Sequence, residues 1–389
     1  MKITNKYLVE GIVFLSYVLF AMAWVGGTAS MGQIMASFEV ESLASASFLS
    51  GAVTIAKIVG TFAAAYIAVK LGVKGAFFAS CLLVGVGLLT PIASGYDILL
   101  ISRFLMGLGG AFMIVYFNPI VMKWFSPEER PVINGINAVA FNVGTAIILW
   151  SMSSINLLTG NWKNSLIVFS VASLVLALIW LFVDYEPEDA QEQSTDDETP
   201  DYTYMDGLKD PFNWNYAICY SGLLAFYICL FTFYPKAGIV ATKWVIGMGI
   251  VGTIAGMIYS KREPNRIPII RWSGLIQTIC IIGLSFSTDA TMQTVSAIVL
   301  GFFVFFPVTA LVTIPHELPK MTPAKITVVF SLFWSISYLI ATVVLWVFGY
   351  LVDINQGDFT TAFILITVIS SSFFLGSFLL PEPKQINQA

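Results

Sequence analysis

Twelve stretches of this chain are each long and apolar enough to cross a bilayer, and they leave little else to fold. They lie near 10–35, 44–69, 75–94, 98–121, 132–157 and 164–184, then near 212–234, 241–260, 267–286, 291–314, 325–350 and 359–380. A hydrocarbon core takes about 20 apolar residues of helix, and a helix satisfies its own backbone groups where water is absent. Only 11% of residues are charged, against about 25% in soluble chains. The expected class is therefore an all-α membrane protein with twelve transmembrane helices. The first run starts at Tyr7, exceeds a signal-peptide core in length and lacks an Ala-x-Ala-like end, so it reads as a retained span.

Residues 185–211 (YEPEDAQEQSTDDETPDYTYMDGLKDP) interrupt the pattern. They are acidic and nearly free of aliphatics, a composition that cannot bury enough surface to order itself. The expected organisation is a six-helix unit over 1–184, an acidic tether over 185–211, and a second six-helix unit over 212–389. Of the 19 basic residues, 14 fall on the N-terminal side of the spans, Lys163, Lys236 and Lys243 fall on the other, and Lys57 and Arg103 lie within them. The positive-inside rule then puts both termini and the tether in the cytoplasm of a cell whose cytoplasmic membrane holds the chain. The halves echo each other: Ser126-Pro127 precedes the fifth span and Thr322-Pro323 the eleventh, as duplicated carriers show. The four cysteines lie inside apolar runs and read as packing residues.

The fourth span carries Arg103, Gly107, Gly110, Ile114 and Asn118 at steps of four, three, four and four, one helical face. Arg103 either snorkels to the headgroups from a packing face or lines a solute pathway, because an arginine in a span is costly otherwise. Arg103-x-x-x-Gly107-x-Gly109-x-Ala111 resembles a signature of the major facilitator superfamily, and the likeness extends over nearly the whole chain. The loop Ala65-Tyr66-Ile67-Ala68-Val69-Lys70-Leu71-Gly72-Val73-Lys74 is similar to that family's Gly-x-x-x-Asp-Arg-x-Gly-Arg-Lys motif. Lys70, Gly72 and Lys74 fit and so become candidate gating residues. Ala65, Val69 and Val73 replace the Gly, Asp and Arg, which removes the acid that helps lock the family's cytoplasmic gate. The resemblance implies a monomeric rocker-switch carrier with one central site, lined by spans one, four, seven and ten and flanked by two, five, eight and eleven.

Lys57 is the second anomaly. It lies mid-span on a polar stripe with Ser50, Thr54 and Thr61, where a lysine costs about 2.5–3.5 kcal/mol on insertion scales. It is either a structurally hydrogen-bonded lysine or a charge facing a cavity. Apart from Glu10, placed near the headgroups at the inner end of span one, and Asp184 at the cytoplasmic end of span six, the spans contain no acid. Two fixed cations without fixed anions point to an anionic solute as the partner. Trp24, Asn118, Asn137, Tyr227, Trp334 and Tyr338 are further candidates for the walls, weighed against plain packing and interface roles.

No phosphate-cradling Gly-x-x-x-x-Gly-Lys-[Ser/Thr] run, catalytic triad or basic patch is present, so an enzyme, a nucleotide-driven pump and a nucleic-acid binder are unsupported. His316 is the sole histidine and has no Cys or Asp cluster around it, so no metal and no cofactor are expected. His316 itself reads as a loop or gate residue. The expected partners are a small-molecule solute, with or without a coupling ion, and membrane lipid. The expected function is secondary transport of a small anion, an organic carboxylate or oxyanion, by alternating access. A broad-specificity efflux transporter of amphipathic compounds and a non-transporting membrane sensor remain as alternatives.

Overall fold

A computed structural model describes residues 2–126, 128–185, 202–262 and 264–383, and most of them are helical. The first half runs through α1 (Lys6–Ala29), α2 (Met31–Ser37), α3 (Leu43–Ala46), α4 (Phe48–Gly85), a 3₁₀ segment (Val86–Ile92), α5 (Tyr96–Trp124), α6 (Arg130–Thr159) and α7 (Trp162–Leu181). A short α8 (Tyr204–Lys209) precedes α9 (Pro211–Thr232), α10 (Thr242–Ser260), α11 (Arg266–Phe286) and α12 (Ala290–Phe305). The chain then ends in α13 (Val308–Glu317), α14 (Pro323–Ile354), α15 (Thr360–Ser370) and α16 (Ser372–Gly376). Among the described residues, 10 helices are long and apolar enough to cross a membrane, and two shorter apolar helices, Phe48–Ala64 and Thr360–Gly376, accompany them. The only β feature among them is an isolated bridge between Ile3 and Val183. The expected all-α membrane class is the observed one, and its helices pack as two six-span bundles.

Local chemistry sets the breaks. Gly72, at φ 65°, interrupts α4 so that one continuous stretch supplies two antiparallel spans; a side chain is disfavoured in that left-handed region. Pro307, which has no N–H to donate, separates α12 from α13 inside the expected tenth span. The expected acidic tether needs a correction at its C-terminal end. Residues 186–201 lie outside the described residues, but Thr203 and Asp206 form a reciprocal capping box that starts α8. The hydroxyl and N–H of Thr203 hold the Asp206 carboxyl below its ordinary range. Gly207 presses onto Val328 and Leu332 of α14, so this part of the segment is docked.

Close packing inside the first bundle explains the glycines of the fourth span. A Cβ on Gly107 would stand 2.8 Å from that of Ala56, and one on Gly109 would stand 2.5 Å from the Ser80 carbonyl oxygen. Helices that approach this closely gain dispersion contact that lipid cannot supply.

The two bundles meet along α4 and α14, α6 and α10, α3 and α14, and α1 and α9. One end of this seam is shut. The Asp353 carboxylate accepts the N–H groups of Leu43 and Ala44 at 2.8 and 2.9 Å and the Ser42 hydroxyl at 2.8 Å. Further in, Ser50 pairs with Thr232 at 3.0 Å and Thr54 with Thr342 at 2.6 Å. Ser50 and Thr54 of the polar stripe on the second span therefore lie in the seam, while the Thr61 hydroxyl donates back to the Lys57 carbonyl. Hydrogen bonds to a charged acceptor are each worth about 1.5–3 kcal/mol, so losing them should open this end. In an Ala46→Cys protein, Asp353→Ala is expected to raise the rate of modification by a water-soluble maleimide at least about tenfold; an unchanged rate would show that Asp353 does not hold the end closed.

Candidate functional site

Between the bundles lies a cavity of about 980 Å³. Its lining runs from Trp24 and Phe231, next to the shut seam, to Val132 on α6 and Lys261 just past α10, so it opens at the end opposite Asp353. Seven of the eight residues expected to bind solute line it: Lys57, Trp24, Asn118, Asn137, Tyr227, Trp334 and Tyr338. Arg103 does not.

Lys57 sits on α4 at the inner end of the cavity and is 3% exposed. Its Nζ lies 5.1 Å from the ring of Phe20, 5.6 Å from Tyr338, 5.7 Å from Tyr17 and 5.8 Å from Trp24. Four aromatic faces within about 6 Å attract an ammonium and offset part of its insertion cost. One hydrogen bond joins it to protein: Nζ donates to the Tyr17 hydroxyl at 3.3 Å. Three of the rings come from the first bundle and Tyr338 from the second, so the lysine spans the seam. Among the described residues, none of the salt bridges involves Lys57 or Arg103.

The placement of Arg103 corrects the expectation that it would line the pathway. Its Nε donates to the Leu49 carbonyl at 2.6 Å and its Nη2 to the Trp24 carbonyl at 2.8 Å. The guanidinium is 1% exposed and fixed between α1 and α4 within one bundle. Gly27 leaves it room, since a Cβ there would collide with Nη1. Glu10 departs from expectation as well. It is 6% exposed rather than at a headgroup surface, and both of its oxygens lack a hydrogen-bond partner among the described residues. It lies beside Asn137, whose amide is equally unsatisfied by normal geometry.

The lining asparagines come from one bundle and the lining rings from both. Asn118, Asn134, Asn137 and Asn142 face the cavity from α5 and α6. Across it, the Tyr227 hydroxyl donates to Asn142 Oδ1 at 2.7 Å and ties α9 to α6. Trp334 and Tyr338 stack on α14 with centroids 6.0 Å apart. Sequence reasoning passed over Tyr17, although Tyr17, Phe20 and Trp24 recur at steps of three and four on α1, a spacing that marks one face. Of the candidate gating residues, Lys74 donates to the Leu181 and Val183 carbonyls at 3.1 and 2.7 Å, tying α4 to the end of α7. Lys70 lies 4.5 Å over the Tyr66 ring, and Gly72 makes the break between spans. Val69, where the family motif has its acid, is exposed. His316 packs 5.5 Å from the Phe330 ring, and the described residues contain no cluster able to hold a metal.

Two bundles around a cavity shut at one end and open at the other define a multi-pass membrane carrier. The model of the Major Facilitator Superfamily matches residues 13–342. This chain belongs to that superfamily, a family of transporters and not of enzymes. An uncharacterised protein of Campylobacter jejuni is 30% identical over 227 residues, 58% of this chain and 69% of that protein. A hexuronate transporter of Bacillus subtilis is 22% identical over 241 residues, 55% of this chain and 57% of that one. The inward open conformation of the xylose transporter XylE from E. coli shares the fold, with a TM-score of 0.77 and 13% identity over 99% of both chains.

If Arg103 is a staple and not a ligand group, its environment should govern stability. Gly27→Ala overpacks it, a change that costs about 1–3 kcal/mol, and should lower the unfolding midpoint of the detergent-purified protein by several degrees. An unchanged midpoint would contradict the staple.

Proposed function

We propose that this protein is a secondary carrier of a small organic anion, a carboxylate on a hydroxylated body, moved by alternating access. One observation carries the reading: the cavity holds a mid-span ammonium with no acid paired to it among the described residues. Lys57 has three N–H donors, and protein takes one of them. A carboxylate entering the cavity supplies the missing charge, and it leaves again because neither partner is permanent. The asparagines of α5 and α6 offer donors and acceptors suited to hydroxyl groups, and Trp24, Trp334 and Tyr338 offer faces for an apolar ring edge. The similarity to a hexuronate transporter supports a sugar acid as the solute class.

In this reading the distribution of basic residues puts the open end and both termini in the cytoplasm, so the conformation is inward-facing. The acidic segment 185–211 joins the two units, and the carrier works as a monomer. Lys70, Gly72 and Lys74 serve the inner gate without the usual acid. Arg103 drops out of the solute contacts and acts by fixing α1 against α4.

The predominantly aromatic and aliphatic lining favours one second reading, export of amphipathic compounds with little charge preference. Uptake into proteoliposomes separates the two. D-glucuronate or D-galacturonate should be transported in preference to neutral D-glucose. Removing one member of a desolvated charge pair costs about 2–5 kcal/mol, so Lys57→Met should reduce uronate transport about 100-fold. Equal transport of acid and neutral sugar, or full activity of the variant, would favour the exporter.

A further inference from the structure

The hydroxyl of Tyr17 is unusual among the buried tyrosines. Tyr116 and Tyr216 donate to the Ala64 and Leu311 carbonyls at 2.8 and 3.0 Å, Tyr227 donates to Asn142, and Tyr234 pairs with Ser285 at 2.8 Å. Tyr17 is 5% exposed, and the one hydrogen bond of its hydroxyl is the one it accepts from Lys57. No acceptor for its own O–H exists among the described residues. A buried donor without an acceptor is costly, and this one borders the cavity. The ring cannot swing away to find a partner, because Phe20 stacks on it at 5.5 Å and Phe117 meets it edge-on at 5.1 Å.

We propose that Tyr17 and Lys57 form a two-point oxyanion clamp, in which the ammonium pairs with one oxygen of a solute carboxylate and the Tyr17 O–H donates to the other. The proposal rests on the anion-carrier reading and names how the charge is recognised. Because Lys57 takes a lone pair of the Tyr17 oxygen, the phenol hydrogen is left for an incoming acceptor, and the neighbouring cation strengthens it as a donor. Both residues belong to the first bundle, on α1 and α4, so the clamp keeps its geometry while the second bundle moves. Tyr17 is thereby a specificity residue, selecting an acid over its neutral ester or amide.

Titration calorimetry with D-glucuronate and its neutral methyl ester tests this on the purified full chain. A hydrogen bond to a charged group is worth about 10- to 100-fold in affinity. Tyr17→Phe keeps the ring packing, so it should weaken D-glucuronate binding by that factor and leave the ester within about twofold. If Lys57→Met loses D-glucuronate while Tyr17→Phe binds it as the wild type does, the clamp is wrong and the carrier reading stands. If the wild type fails to prefer the acid, or Lys57→Met binds it unchanged, the anion reading falls and the clamp with it. A Tyr17→Phe protein that weakens acid and ester equally assigns Tyr17 to packing and overturns the proposal.

Discussion

A single ammonium near the middle of an apolar bundle sets the terms for the residues around it. Water cannot reach it from every side and lipid cannot solvate it, so the protein must surround Lys57 with something that tolerates charge. It does so with four ring faces and one phenol oxygen. Rings suit this place because they are apolar toward their neighbours and electron-rich toward the cation. They offer no negative charge, however, and under the proposed transport the solute brings it. The cavity wall combines asparagine amides from α5 and α6 with aromatic and aliphatic carbon from both bundles.

Arg103 shows the opposite solution to the same problem. Its guanidinium has a planar fork of donors, and two of them reach carbonyl oxygens on neighbouring helices. Backbone carbonyls carry partial negative charge and are available wherever helices come close enough. The glycines at 27, 107 and 109 provide that closeness. One bundle thus gains a rigid three-helix corner of α1, α4 and α5, and this corner holds Tyr17, Trp24 and Lys57 in fixed relation. Under the proposed alternating access, rigidity within a bundle matters because only the seam should yield. The seam is built accordingly, from small hydroxyls, one capping carboxylate and a tyrosine that crosses to an asparagine, all contacts that can part without tearing a core.

Much of this was legible in the residues and some was not, for physical reasons. Apolar run length reveals spans because bilayer thickness is fixed, so the twelve segments and the break near Gly72 could be read directly. Lys57 could be placed on a polar face from periodicity alone, since Ser50, Thr54 and Thr61 share it. Arg103 misled because its partners are carbonyl oxygens, which every residue has and no motif marks. Tyr17 escaped notice because a tyrosine among phenylalanines looks like packing until its hydroxyl is found to lack an acceptor. The capping box at Thr203 and Asp206 went unread because acidic composition dominates the segment around it. Burial of Glu10 depends on how α1 tilts against α6, which no one-dimensional pattern records.

In the proposed transport the solute supplies the negative charge that Lys57 lacks. A structure of the protein determined with bound D-glucuronate or D-galacturonate tests it most directly. The account predicts the carboxylate within hydrogen-bonding distance of the Lys57 ammonium, with the sugar hydroxyls toward the asparagine wall. A solute bound with its carboxylate elsewhere in the cavity, or a Lys57 already paired with a protein acid in the loaded state, would contradict it.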